Sequence, residues 1–121
     1  MKILSRVLIA LVALEHLYFL VLEMFFWDKP LGLDAFHNTL EAARATATVA
    51  ANQGLYNGFL AVGLLWSLVQ GRRDTKLFFL GCVIVAGVYG AATAFAAILF
   101  IQALPAAIAF AVTFKAEPRD V

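Results

Sequence analysis

No charged residue occurs between Leu77 and Phe114, a run of 38 residues. One helix crossing ~30 Å of hydrocarbon needs only ~20 residues, so the run is too long for a single crossing and sufficient for two short ones joined by a tight turn. The turn is expected near Ala92 to Ala96. A turn at Pro105 would leave too short a last helix, so Pro105 reads as a kink inside it. The rest of the chain extends the pattern. Of its 121 residues 64% are hydrophobic and 14% charged, a balance that a water-soluble core does not need. The expectation is an all-α, multi-pass integral membrane protein of the cell membrane, a single four-helix bundle over residues 1–121, with helices at about 3–27, 45–69, 77–93 and 97–114. Lys2, Arg6, Arg72, Arg73, Lys76, Lys115 and Arg119 fall on one side of that scheme, against Lys29 and Arg44 on the other. The bias places both termini in the cytoplasm.

Several classes drop out. A net charge of +1 and the lack of a basic run with interleaved aromatics give no footprint for nucleic acid. The single Cys82 sits among apolar residues and supports neither a disulfide framework nor a two-cysteine redox motif. Lys2 followed by Val7 to Leu14 looks like the start of a signal peptide, but Glu15 and His16 interrupt it and the apolar pattern resumes to Phe26, so the segment is expected to stay as a helix. Asp28, Lys29 and Pro30 end that helix. Asp34 to Arg44 is expected to form a short interfacial helix carrying His37, Glu41 and Arg44. Arg72, Arg73, Asp74 and Lys76 are expected as a short basic loop.

Within this apolar frame, the stretch from Ala50 to Gly63, AANQGLYNGFLAVG, is anomalous. At about 100° per residue, Asn52, Tyr56, Gln53 and Asn57 form one polar stripe, which is expected to face protein rather than lipid. Ala50, Gly54, Gly58 and Ala61 form a small-residue seam beside it, suited to close approach of another backbone. Leu55, Phe59, Val62 and Trp66 take the remaining side, towards lipid or a second subunit. In the first helix His16 and Glu23 share a face, with Glu15 flanking. They are one seven-residue step apart, about 10 Å along the axis, which suits a shared ligand or water chain better than direct contact. Tyr89 and Gln102 fall in the same outer half of the membrane.

The candidate ligand-binding set is therefore Glu23, His16, Asn52, Gln53, Tyr56, Asn57, Tyr89 and Gln102, around a cavity opening outward or laterally into lipid. Amides and tyrosines taken alone also serve as ordinary interhelical bonds. A carboxylate in mid-membrane costs at least ~2.5 kcal/mol on insertion scales, and that cost asks for a partner, water or a proton. One histidine and one carboxylate are too few ligands for a metal, and His16 has no second axial partner for haem. No metal is expected, and neither a cofactor nor a catalytic residue is assigned. The preferred reading is a pocket for a small amphipathic molecule such as a lipid or quinone, with a membrane enzyme as one setting. The alternatives are a small oligomeric proton-linked transporter and an accessory or assembly subunit. A homo-oligomer would form through Gly54 and Gly58 or through the Leu55, Phe59, Val62 and Trp66 face.

EHLYFLVLEMFFW, Glu15 to Trp27, and ANQGLYNGFLA, Ala51 to Ala61, resemble the paired signatures of a small bacterial and fungal membrane family catalogued as domain of unknown function 1304. GVYG at Gly87 to Gly90 and QALPA at Gln102 to Ala106 are similar to its later segments. The resemblance implies a four-helix integral membrane protein and assigns no activity. On architecture alone the chain is also similar to small quinone- or thiol-linked membrane proteins of the DoxX type.

Overall fold

A computed structural model describes residues 1–121. The chain is all-helical: α1 spans Lys2–Phe25, α2 Pro30–Ala35, α3 Leu40–Gln70, α4 Arg73–Thr93 and α5 Leu104–Ala116, with a π-helical turn over Leu99–Ala103 leading into α5. Three stretches are long and apolar enough to cross a membrane, namely Lys2–Phe25, Arg73–Thr93 and Leu99–Ala116. The long α3 does not reach that standard, because Asn52, Gln53 and Asn57 lower the hydropathy of its middle.

The boundaries follow local chemistry. Pro30 has no N–H to lose and stands in the first turn of α2, which therefore occupies Pro30–Ala35 and not the expected Asp34 to Arg44. The chain then breaks at His37, whose φ is 54°. Thr39 Oγ1 accepts from the Ala42 N–H at 3.2 Å, so α3 begins at Leu40, five residues before its expected start. Gly71, with φ of 73°, ends α3 in the left-handed conformation that favours glycine. Helix α4 then starts at Arg73, so Arg73, Asp74 and Lys76 form its first turns in place of a basic loop. Its carboxyl end at Thr93 falls where the turn was expected. Pro105 lies in the first turn of α5, directly after the π-helical turn. The irregularity of that last helix thus sits next to its proline, where a backbone donor is missing.

The chain divides into two compact units, Met1–Ala13 with Val62–Val121, and Leu14–Ala61. In the first, α4 packs on the π-helical turn and α5. Gly87 lets the backbone of Ala103 approach so closely that a Cβ there would lie 2.8 Å from the Ala103 nitrogen. Ile9, Leu64, Leu80, Val83, Ala106 and Ala109 are buried. One end of this unit is polar. The Ser5 and Thr113 hydroxyls are 2.7 Å apart, and Ser5 Oγ donates to Glu117 Oε1 at 2.9 Å. Lys76 Nζ donates to both Glu117 oxygens at 2.9 and 2.7 Å, with the pair almost wholly buried. The beginnings of α1 and α4 and the end of α5 are thereby fastened together.

The second unit is an antiparallel pairing of the end of α1 with the front of α3. Trp27 Nε1 donates to Thr46 Oγ1 at 3.1 Å, while further along α3 Gly54 and Gly58 meet Leu20, Glu23 and Met24. Trp27 also packs on Phe36, with ring centroids 4.9 Å apart.

Candidate functional site

The second unit holds six of the eight candidate residues. What positions them is the small-residue seam: Ala50, Gly54, Gly58 and Ala61 are all buried. A Cβ on Gly54 would lie 2.7 Å from Met24 Cγ, 3.1 Å from Glu23 Cβ and 3.2 Å from the Leu20 carbonyl oxygen. Helix α1 of the same chain therefore occupies the seam on which one form of homo-oligomer was expected to rest. Small side chains bring two backbones together, and Glu23 comes to α3 because its own Cβ lies at that contact.

The approach sets one direct polar contact. Asn57 Nδ2 donates to Glu23 Oε1 at 2.6 Å. The bond ties the carboxyl group of α1 directly to the carboxamide of α3. His16 is fully buried and stands edge-on to Phe19, ring centroids 5.5 Å apart. Glu15 is half-buried on the flank.

The stripe itself departs from expectation. Asn57 turns inward, but Asn52 and Gln53 are exposed and Tyr56 is 56% exposed. The small-residue face packs against α1 and rotates the flanking polar residues out of the contact. Neither Asn52, Gln53 nor the Tyr56 hydroxyl makes a hydrogen bond within the chain; the Tyr56 ring stands edge-on to Phe59 at 5.5 Å. Leu55 and Phe59 are exposed, as are Val62 and Trp66 further along α3.

Tyr89 and Gln102 belong to the first unit. Tyr89 is 71% exposed at one end of an open, apolar face of α4 that includes Phe78, Cys82 and Val85. Its carbonyl accepts from Thr93 Oγ1 at 2.7 Å. Gln102 is half-buried in the π-helical turn.

Sequence reasoning missed the polar end of the first unit. Lys76 and Glu117 lie 41 positions apart and Ser5 and Glu117 lie 112 apart, so no local spacing announces them. The available signal was the concentration of acids and bases at the chain's end, where Lys115, Glu117, Arg119 and Asp120 alternate.

A family profile described as "Protein of unknown function (DUF1304)" matches residues 10–114. The chain is similar to the uncharacterized protein YpaA of Lactococcus lactis subsp. lactis (strain IL1403), with 29% identity over 106 residues, covering 84% of this chain and 89% of the relative. No solved structure matches.

Proposed function

The chain belongs to the DUF1304 family of proteins of unknown function, and on that premise we propose that it is a four-crossing membrane protein with both termini in the cytoplasm, binding the polar end of a small amphipathic molecule at Glu23 and Asn57. Helix α1 is long and apolar enough to cross, and the antiparallel contact from Thr46 to Gly58 carries α3 back beside it. The bonding of Ser5 to Thr113 and Glu117, at opposite ends of the chain, supports an even number of crossings. The excess of Lys and Arg at that end supports its cytoplasmic placement.

The observation carrying the ligand reading is the Asn57–Glu23 bond, on a helix that also exposes the polar side chains of Asn52, Gln53 and Tyr56 within the preceding turn and a half. In hydrocarbon, exposed amides and a phenol with no protein partner are costly. A lipid or quinone arriving sideways would present its polar group to them and leave its tail in the bilayer. The site is then an open-sided slot on α3, and Glu23 supplies its charge. Buried His16 lies one step deeper along α1, towards the tail of such a molecule.

Mass spectrometry of small molecules retained through purification in mild detergent tests this reading. A defined lipid or quinone held at a fixed ratio is the expected result. Proton-gradient-driven flux in liposomes with nothing retained would favour a transporter using the same Glu23. A stable heteromeric partner covering Asn52 and Tyr56 would favour an accessory subunit.

A further inference from the structure

At the polar end of the first unit, a half-open cavity of about 240 Å³ lies between the start of α1, the start of α4 and the C-terminal segment. Five cations line it: Lys2, Arg6, Arg73, Lys76 and Arg119. Its two acids are already engaged. Glu117 binds Lys76 Nζ with both oxygens, as described above. Asp120 accepts the backbone N–H groups of Arg73 and Asp74 at 3.1 and 2.8 Å, and the Arg72 guanidinium stands 3.9 Å away.

Arg73 has no close counter-ion: the charge of Asp120 reaches it only from beyond ion-pair distance. Arg73 is 7% exposed and forms no ion pair. Its Nη2 donates to the Phe114 carbonyl at 3.0 Å and its guanidinium lies 4.4 Å from the centre of the Phe114 ring, while its buried Nε has no hydrogen-bond partner. A buried guanidinium is stable only when its charge and its donors are both met; the ring and one carbonyl meet them in part. Lys2, Arg6 and Arg119 are exposed and add three more cations at the rim.

We propose that this cavity binds the phosphate group of one anionic molecule. Phosphate suits it better than a carboxylate because its tetrahedral oxygens can bond several cations at once, and guanidinium groups match that geometry. With α1, α4 and α5 spanning the bilayer, the cavity stands at headgroup level, where a phospholipid diester and a soluble phosphate both have access.

The test uses the full chain in neutral detergent, titrated with phosphatidylglycerol and watched by native mass spectrometry. Phosphatidylcholine serves as the zwitterionic comparison, and inorganic phosphate and glycerol phosphate as soluble probes. The wild-type protein should hold one phosphate-bearing molecule. Arg6→Gln/Arg119→Gln, which changes only exposed side chains, should weaken it about tenfold or more, as should Arg73→Gln if that variant folds. Lys115→Gln, exposed and outside the cavity, should leave it unchanged. Binding of phosphatidylglycerol alone identifies a lipid headgroup, and equal binding of glycerol phosphate identifies a soluble ester. If no phosphate-bearing probe distinguishes the wild type from Arg6→Gln/Arg119→Gln, the proposal is overturned.

Discussion

Asn57 donates to the Glu23 carboxylate at 2.6 Å across 34 positions of sequence, and Gly54, one turn earlier on α3, provides the closeness that makes this bond possible. Packing and polarity are thus coupled at one place. An apolar bundle could close on the glycine seam alone; here closure also brings a carboxylate within reach of an amide.

Asn57→Ala should therefore destabilise the protein by about 1–3 kcal/mol, since it leaves the Glu23 carboxylate without its donor. Leu55→Ala should cost far less, because Leu55 is 42% exposed. Unfolding in mixed detergent, followed by circular dichroism, compares the two. Equal losses would mean that the Asn57–Glu23 bond contributes nothing beyond side-chain packing.

Gly54→Ala should be destabilising although alanine is the better helix former. The added Cβ would lie 3.2 Å from the Leu20 carbonyl oxygen, and backbone cannot swing aside as the Met24 side chain can. Overpacking of this kind costs about 1–3 kcal/mol, against a propensity gain of up to ~1. Gly71→Ala should also be destabilising, for a different reason, as it strains a residue at φ of 73°. The same unfolding measurement distinguishes the two sites when Gly81→Ala, whose Cβ would meet nothing within 4 Å, is included as the tolerated change.

Lys76 and Glu117 have side chains only 3% and 8% exposed. Lys76→Met should cost about 3–5 kcal/mol by leaving a buried carboxylate uncompensated, whereas Lys76→Met/Glu117→Gln should recover much of the loss. A double-mutant cycle on thermal unfolding reads the coupling. Additive losses would show that the two groups do not act as a pair.

Asp120 ties the C-terminal segment to the start of α4, and its pH response has a definite sign. The Asp74 backbone N–H, opposed by desolvation and joined by the Arg73 N–H and the Arg72 and Arg73 charges, holds its carboxyl below the ordinary range. A carboxyl lowered on folding contributes stability above its unfolded value of about 3.9 and loses that contribution as pH falls through the folded value. The wild type should lose stability on acidification below about pH 4 more steeply than Asp120→Asn. Identical acid limbs in the two thermal-unfolding series would contradict this role.

The termini and the α3–α4 turn should lie in the cytoplasm. In a Cys82→Ser background, a cysteine at Arg72 should resist a membrane-impermeant thiol reagent applied to whole cells, and one at Asp34 should react. The reverse pattern would invert the orientation.

How far the residues announce this structure depends on the range of the cause. The apolar helical frame is legible because length and apolarity are local: the helix end before Pro30 and the end of α4 at Thr93 follow from nearby residues, and Pro105 stands beside a π-helical turn. The small-residue seam is legible for the same reason, as four positions at helical spacing. Which neighbour face turns inward is not, because a wheel gives the angle between Asn52 and Gly54 but not the rotation of α3 against α1. Contact with α1 fixes that rotation, and it leaves Asn52, Gln53 and Tyr56 exposed while Asn57 turns inward. Arg73 and Lys76 looked like a solvated loop for a similar reason. Their partners, Phe114, Glu117 and Asp120, come from the far end of the chain.

The most direct measurement of the ligand reading compares the wild type with Glu23→Gln, which preserves shape while removing the carboxylate charge, in mild detergent at neutral pH. Both should show the same helical content and elution volume. The wild type should retain its small amphipathic molecule at a fixed ratio by mass spectrometry, and Glu23→Gln should lose it while Leu55→Ala keeps it. Equal retention by the wild type and by a folded Glu23→Gln would contradict the assignment of Glu23 as the charge on which binding turns.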